Sequence, residues 1–297
     1  MKNNKTFHSA FIALFGRPNS GKSTLMNTVL QEQISIVTSL PQTTRQNIKG
    51  IYTSDDAQIV FIDTPGMHRG KHALNKLMRE EAVSAIGSGV DLICYIVDLS
   101  RDFGDEESDC AAVAAAATVP VVIVFNKIDM CDDPDNKIRA FLSAYSSLSK
   151  LPTVRLSAVN PKSKDIFLSA VAPMLPEGPK YFDDDSLTDA TMRTIAAEFI
   201  RKQIILNTRE EVPHAVYVEI ETYKETAQKH EIVAAVHVET AGQKGIVIGA
   251  KGTMIEKIKR NARRDIEELT GVRTGLKLHV KITPGWRDDA KFLKFVG

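Results

Sequence analysis

The run Gly16-Arg17-Pro18-Asn19-Ser20-Gly21-Lys22-Ser23 has the residue types and spacing of a phosphate-binding loop, G-x-x-x-x-G-K-[ST]. Its glycines let the backbone wrap close to oxygen atoms. The loop N–H groups and the start of the following helix then face negative charge. In such a loop Lys22 bridges the β- and γ-phosphates, and Ser23 offers its hydroxyl to Mg²⁺. Asp63-Thr64-Pro65-Gly66 follows about 40 residues later. A carboxylate there can hold Mg²⁺ through its water shell, and Gly66 can set its N–H against the γ-phosphate. Asn126-Lys127-Ile128-Asp129 chooses the base. Asp129 can accept from N1–H and the exocyclic amine of guanine, whereas adenine has no donor at either position. Each charge-assisted bond is worth about 1.5–3 kcal/mol, and the wrong base leaves the carboxylate unpaired. Asn126 can contact the base or brace the phosphate loop, and the Lys127 stem can cover the ring face. Ser157-Ala158 can supply a backbone N–H to the guanine O6.

Between these motifs lies Gln42-Thr43-Thr44-Arg45, where a loop threonine can complete the Mg²⁺ shell when the γ-phosphate is present. Thr44 is favoured and Thr43 stays open. The candidate catalytic residues are therefore Lys22, Thr44 and Gly66, and the candidate metal ligands Ser23, Thr44 and Asp63. The expected nucleotide shell is Gly16, Arg17, Pro18, Asn19, Ser20, Gly21, Lys22, Ser23 and Thr24, then Asp63, Thr64, Pro65, Gly66 and Met67. Asn126, Lys127, Asp129, Ser157 and Ala158 complete it.

In their order and spacing these motifs resemble the translation-factor-like GTPases, over about residues 8–175. One departure is mechanistic. Where the Ras-like pattern places a water-orienting glutamine, this chain has Met67, whose thioether is a weak acceptor. Intrinsic hydrolysis should be slow, or another group must place the water. The resemblance implies that Asn19 helps hold a K⁺ ion near the β/γ-phosphates, supplying positive charge that an arginine finger otherwise brings. A loop-stabilising side chain is the alternative role for Asn19.

The elements that must position these residues follow from the apolar runs. Residues 11–15, 59–62, 92–97 and 121–125 read as strands covered on both faces, with a further strand at 153–156. Helical patterns at 23–30, 74–86, 106–116 and 166–171 alternate with them. The expectation is an α/β fold: a GTPase domain over residues 1–175 with a mostly parallel six-stranded sheet. Pro173, Pro176, Gly178 and Pro179 punctuate the chain, so 176–190 is expected as a linker and 191–297 as a second domain. There the order is helix 191–206, with Arg193, Arg201 and Lys202 on its polar side, then strands at 215–223 and 232–240. A glycine-rich helical stretch covers 242–269, and a last strand 276–282.

Charge is concentrated in that domain. The 297 residues carry a net charge of +1, and residues 1–180 balance 19 basic against 19 acidic side chains. Residues 183–239 hold 6 basic and 12 acidic residues, whereas 244–264 hold seven basic residues against Glu256 alone. Inside the basic stretch, Gly249-Ala250-Lys251-Gly252 follows apolar Val247-Ile248 and resembles the loop of a KH domain. Such a loop clamps about four nucleotides of a single strand. Ile255, Ile258, Ala262, Ile266 and Leu269 fall at helical spacing as a buried face, so Lys257, Arg260 and Arg264 point outward together. The candidate RNA-binding residues are Lys244, Gly249, Ala250, Lys251, Gly252, Lys257, Arg260 and Arg264. The element order is that of an α+β type II KH domain, and a solvated basic face is the alternative. Trp286 either stacks on a base or closes the small domain's core, the second being favoured. His214, His230 and His237 have no ligand spacing, and Cys94 reads as a packing residue.

Composition excludes a disordered or fibrous chain, with 43% hydrophobic and 25% charged residues. No apolar stretch approaches the about 18 residues of a membrane span, the N-terminus lacks a signal-peptide run, and three cysteines suit a reducing cytoplasm. Taken together, the chain resembles the Era family of bacterial GTPases over nearly its whole length. The resemblance implies GTP hydrolysis with Mg²⁺, binding of small-subunit (16S) ribosomal RNA, a part in small-subunit assembly, and peripheral association with the inner face of the cell membrane. A monomer is the default. Two alternatives stand beside it: an RNA-binding factor whose nucleotide only stabilises it, and a GTPase switch acting on a protein or membrane partner with the KH fold used for protein contact.

Overall fold

The structure is a computed structural model that describes residues 6–38, 47–67, 72–87, 89–226 and 228–293. The chain divides into two compact units, one built from 1–35 and 44–189, the other from 36–43 and 190–296.

The first unit has the order β1 (His8–Phe15), α1 (Lys22–Leu30), β2 (Ile48–Thr53), β3 (Ala57–Asp63), α2 (Ala73–Gly87), β4 (Leu92–Asp98) and α3 (Asp105–Ala115). It continues with β5 (Val121–Asn126), α4 (Pro134–Ala144), β6 (Thr153–Arg155) and α5 (Ser163–Val171). The strands form one sheet in the order β2-β3-β1-β4-β5-β6. All pairs are parallel except β2 with β3. This is the expected six-stranded, mostly parallel sheet. Every residue of β4 and β5 is buried, which explains their unbroken apolar runs. Strand β2 escapes the sequence reading because Ile48-Lys49-Gly50-Ile51-Tyr52-Thr53 is a mixed edge strand. Its tight link to β3 is closed by Ser54, whose N–H donates to the Ala57 carbonyl at 2.8 Å. Helix α4 buries Ile138 and Phe141 on one face and is absent from the sequence expectations. Pro134 opens it, and the Asp133 carboxylate caps it by accepting from the Asn136 N–H at 3.0 Å.

The segment expected as a linker is seated on the first unit as far as Asp189. Pro176 accepts from Ser9 N–H at 3.1 Å, and Leu187 from Ile51 N–H at 2.8 Å. Gln58 is fully buried and makes the central attachment. Its Oε1 accepts from the N–H groups of Tyr181 and Phe182, and its Nε2 donates to the Phe182 carbonyl at 2.9 Å. Lys49 pairs with Asp189 at 2.6 Å. Edge strand β2 is thereby covered along part of its length.

The second unit contains α6 (Met192–Asn207), β7 (Tyr217–Glu225), β8 (Lys229–Val238), α7 (Ala241–Ile248), α8 (Thr253–Thr270), β9 (Arg273–Ile282) and a short α9 (Ala290–Leu293). Strands β7 and β8 are antiparallel, with a bulge at Ile220/Thr222, and β8 and β9 run parallel. This helix–strand–strand–helix–helix–strand order is that of the expected KH fold. One face of the sheet, α6 and α8 bury a common core, which also takes in Ile36. Trp286 is fully buried, and its indole N–H donates to the Ala215 carbonyl at 2.9 Å, so it closes the core. Cys94 is buried within β4. His230 and His237 are buried beside Tyr223 and Glu219. One expectation is corrected here. Arg201 and Lys202 do not line a polar helix face. Both are buried, Arg201 against Glu198 at 2.6 Å and Lys202 against Asp265 at 3.1 Å. Cations can be buried where carboxylates pair with them, a pattern that helical spacing alone does not show.

Gln58→Ala removes three hydrogen bonds to the 181–182 backbone, a loss of roughly 2 kcal/mol of local stability. Amide hydrogen exchange at residues 181–189 should quicken by about tenfold or more, while exchange in β4 and β5 stays as it was.

Candidate active site and nucleic-acid interface

The phosphate loop lies between the carboxyl end of β1 and α1, the place where open parallel sheets bind nucleotides. Three of its residues have positive φ: Gly16 at 148°, Asn19 at 60° and Gly21 at 100°. A Cβ on Gly16 would stand 2.4 Å from the Ile96 carbonyl, and one on Gly21 would stand 2.1 Å from Asn126 Nδ2. Both positions therefore require glycine. Asn19 tolerates the left-handed conformation, which gives its side-chain type a backbone reason.

Lys22 is buried. Its Nζ donates to the Gly16 carbonyl at 3.1 Å and the Arg17 carbonyl at 2.8 Å. Burial pushes its pKa down to about 8, with Asp63 pulling the other way. An ammonium solvated by two carbonyls in a buried loop is suited to the phosphates of a nucleotide. The Ser20 hydroxyl is buried without a hydrogen-bond partner among the described residues, a further donor in the same loop.

Ser23 Oγ donates to Asp63 Oδ2 at 2.5 Å, and Ser35 Oγ donates to the same oxygen at 2.7 Å. Asp63 ends β3 fully buried. A carboxylate and a hydroxyl in contact form a hard-oxygen set that fits Mg²⁺. Ser35 was not among the sequence candidates, because no motif contains it. Thr64 Oγ1 donates to the Leu14 carbonyl at 2.7 Å, which ties the turn to β1. Gly66 lies against Pro18: a Cβ on it would come within 2.6 Å of the Pro18 N and Cα atoms. Met67 is buried in the sheet core with Phe15 and Tyr95. Its thioether is thus part of the packing and does not stand in for a water-orienting amide. Thr43 and Thr44 lie outside the described residues.

On the base side, Asn126 braces the phosphate loop. Its Nδ2 donates to the Ser20 carbonyl at 2.7 Å, and its Oδ1 accepts from the N–H groups of Lys127 and Ala158. Of the two N–H groups of Ser157-Ala158, either of which could supply the guanine O6, that of Ala158 is engaged by Asn126. Lys127 has φ 62°, and its Nζ donates to Asp98 Oδ2 at 2.8 Å. Burial would raise the Asp98 carboxyl, but hydrogen bonds from Lys127 and Ser100 outweigh it and hold it below the usual carboxylate range. Asp129 is exposed, as is needed for a side chain that meets a ligand. Ser157 is buried, and its carbonyl accepts from Ser163 Oγ at 2.7 Å. Thr24 sits in the first turn of α1.

In the second unit a capping box starts α7. Thr240 accepts from the Gln243 N–H, and Gln243 Oε1 accepts from the Thr240 N–H. Gly249 follows with φ 73°, and a Cβ there would strike Met254 at 2.6 Å. Gly252 has φ 80° and would place a Cβ in open space, so its bare backbone can be approached closely. Ala250 and Lys251 are exposed between them. Ile258, Ala262 and Ile266 are buried on α8, with Ile255 and Leu269 packed beside them. Lys257 and Arg260 are exposed, and with Lys244 and Lys251 they form no ion pair among the described residues. Arg264 differs, lying 3.6 Å from Glu268 and 3.9 Å from Asp265.

These arrangements have close counterparts. Residues 11–127 match the family model of the 50S ribosome-binding GTPases, and residues 211–287 match that of the KH domain. GTPase Era of Geobacter metallireducens is 42% identical over 295 residues, which cover 98% of each chain. GTPase Era of Thermoanaerobacter pseudethanolicus is 40% identical over 97% of this chain and 96% of its own. The chain belongs to the Era family of GTPases. A crystal structure of Era in complex with MgGDPNP and nucleotides 1506–1542 of 16S ribosomal RNA superposes with a TM-score of 0.92 at 30% identity. It covers 98% of this chain and 99% of that one. A single-residue variant of Aquifex aeolicus Era, bound to GDP·AlF₄⁻, gives a TM-score of 0.91 at 30% identity, with the same coverage. The Era family hydrolyses GTP to GDP and phosphate, and the two-domain fold of this chain is the family's own.

Asp129→Asn turns one acceptor oxygen into a donor. On the expectation that Asp129 accepts two charge-assisted bonds from guanine, GTP affinity should fall about 100-fold or more. Xanthosine triphosphate, with a carbonyl in place of the amine, should gain. Competition with a fluorescent guanine nucleotide measures both.

Proposed function

We propose that this chain is a GTP-hydrolysing switch that binds small-subunit (16S) ribosomal RNA through its KH domain and assists small-subunit assembly. The observation that carries the reading is one unpaired basic face, Lys251, Lys257 and Arg260, beside the bare backbone of Gly252. It stands on the same chain as a phosphate loop whose buried lysine, among the described residues, donates to two main-chain carbonyls. A relative 30% identical in sequence is known in complex with both MgGDPNP and 16S ribosomal RNA nucleotides.

Lys22 draws negative charge from the β- and γ-phosphates as the leaving oxygen develops. Ser23 and Asp63, with Thr44 or Thr43, hold Mg²⁺, which neutralises phosphate charge when bound. Gly66 sets its N–H at the γ-phosphate, and Asp129 selects guanine. Asn126 keeps the phosphate loop and base loop in register through Ser20 and Ala158. With Met67 in the core, no side chain at that position orients the water, so hydrolysis without a partner is slow. A K⁺ ion near Asn19 would supply positive charge where an arginine finger would otherwise stand. Lys244 and the Gly249–Gly252 loop, with Ala250 and Lys251 at its tip, clamp the RNA backbone. Lys257, Arg260 and, more weakly, the paired Arg264 extend the contact.

Ile36, seven residues before Thr43 in the sequence, has its side chain in the core of the second unit. That short distance along the chain supports coupling of nucleotide state to RNA binding, since Thr43 or Thr44 would meet the γ-phosphate. A monomer fits the covered edge of β2. The cytoplasmic setting and peripheral contact with the inner membrane face rest on family membership alone. Among the described residues no helix is long and apolar enough to cross a membrane.

GTP turnover should rise several-fold when a single-stranded RNA from the 3′ end of small-subunit ribosomal RNA is added. Lys251→Ala should remove most of the rise at sub-saturating RNA and lower the salt slope of RNA binding by about one. Turnover unaffected by RNA in the unsubstituted protein would instead favour a protein or membrane partner.

A further inference from the structure

Arg101 lies outside every nucleotide motif, on the connection between β4 and α3. Its Nη2 donates to the Pro18 carbonyl of the phosphate loop at 2.6 Å. Its Nε lies 3.1 Å from Asp98 Oδ2, the oxygen that also accepts from Lys127 Nζ at 2.8 Å. Asp98 is 1% exposed, and its other oxygen takes the N–H and hydroxyl of Ser100 at 2.9 and 2.6 Å. One buried carboxylate is thus shared between Lys127 and the arginine that holds the phosphate loop at Pro18.

The grip on Pro18 has a directional consequence. A peptide unit is planar and rigid, so its carbonyl and the next N–H point to opposite sides. Holding the Pro18 oxygen fixes the direction of the Asn19 N–H, one of the loop donors. Gly66 packs against the N and Cα atoms of the same Pro18. The neighbouring residue is held from the same connection. Arg17 Nε lies 2.5 Å from Glu107 Oε2, its Nη1 donates to the Asp102 carbonyl at 3.0 Å, and Tyr95 Oη donates to Glu107 Oε1 at 2.5 Å. The Arg17–Glu107 pair is buried, and its loss would unsettle the fold. Arg101 is 37% exposed at its side chain and can be changed without opening the core.

We propose that Arg101 is a positioning residue for GTP, acting with Asp98 as a bracket that ties the phosphate loop at Pro18 to the base-reading Lys127. The inference rests on GTP as the substrate. Arg101 acts through the loop and not on the reacting phosphate, so its loss belongs in KM and not in kcat.

The test compares Arg101→Ala, Arg101→Lys, Asp98→Asn and the double variant Asp98→Asn/Arg101→Ala in the full chain, by steady-state GTP turnover and thermal unfolding. Arg101→Ala should raise KM for GTP about tenfold, with kcat within about twofold. Arg101→Lys keeps one donor for Pro18 but loses the fork, and should fall between. The double variant should be no weaker than the weaker single variant, because both remove one bracket. An unchanged KM for Arg101→Ala with a lowered unfolding temperature would overturn the proposal in favour of a structural role. A kcat loss at unchanged KM would overturn it in favour of direct action on the phosphates. Additive losses in the double variant would overturn the shared bracket. No saturable GTP turnover in the unsubstituted protein would overturn the GTP reading itself, and this inference with it.

Discussion

A buried ammonium is the constraint on which the first unit turns. Under the proposed function Lys22 must stay charged to draw a polyanion, yet burial in its loop pushes its pKa down to about 8. The fold meets this with main-chain dipoles: the Gly16 and Arg17 carbonyls turn inward to the ammonium. That inward turn needs positive φ at Gly16 and Gly21 and a side chain that tolerates it at Asn19. Around it the loop is held from outside, by Asn126 at Ser20 and by the β4–α3 connection at Arg17 and Pro18. The sheet exists, in functional terms, to bring the ends of β1, β3, β4 and β5 to one rim where these holds converge.

The second unit solves the opposite problem. Under the proposed function its cations have to remain exposed and unpaired, so that phosphate can replace their water. Glu256 binds Lys259 and Glu268 lies by Arg264, but Lys251, Lys257 and Arg260 have no ion-pair partner among the described residues. The acid-rich stretch before the loop keeps the positive potential local. Gly252 adds access where Gly249 adds only fit, since one faces open space and the other packs on Met254.

Much of this was legible in the sequence because motif and element coincide. Unbroken apolar runs end in Asp63 and Asn126, and the period of α8 separates Ile258 and Ala262 from Lys257 and Arg260. What escaped reading depends on contacts between distant segments. Strand β2 is an edge with a mixed pattern, visible only beside β3. Arg201 and Lys202 look like a solvent face until Glu198 and Asp265 are placed next to them. Ser35 and Arg101 belong to no motif. A polar residue closing an apolar strand was the one available signal for the Arg101 bracket, and Asp98 is that residue. The seating of residues 176–189 on the first unit hangs on Gln58, a polar side chain that stands just before the apolar run 59–62 and carries no signal of its own in the sequence.

The central claim is that the nucleotide site and the RNA face are thermodynamically linked. Linkage is reciprocal, so one calorimetric square tests it directly. The affinity of a non-hydrolysable GTP analogue is measured with and without the 3′-end RNA, and the affinity of the RNA is measured in the analogue and GDP states. The account requires the analogue state to bind RNA more tightly than the GDP state. RNA must then tighten the analogue relative to GDP by the same factor. RNA affinity equal in the two nucleotide states would contradict it, leaving two binding units on one chain with no switch between them.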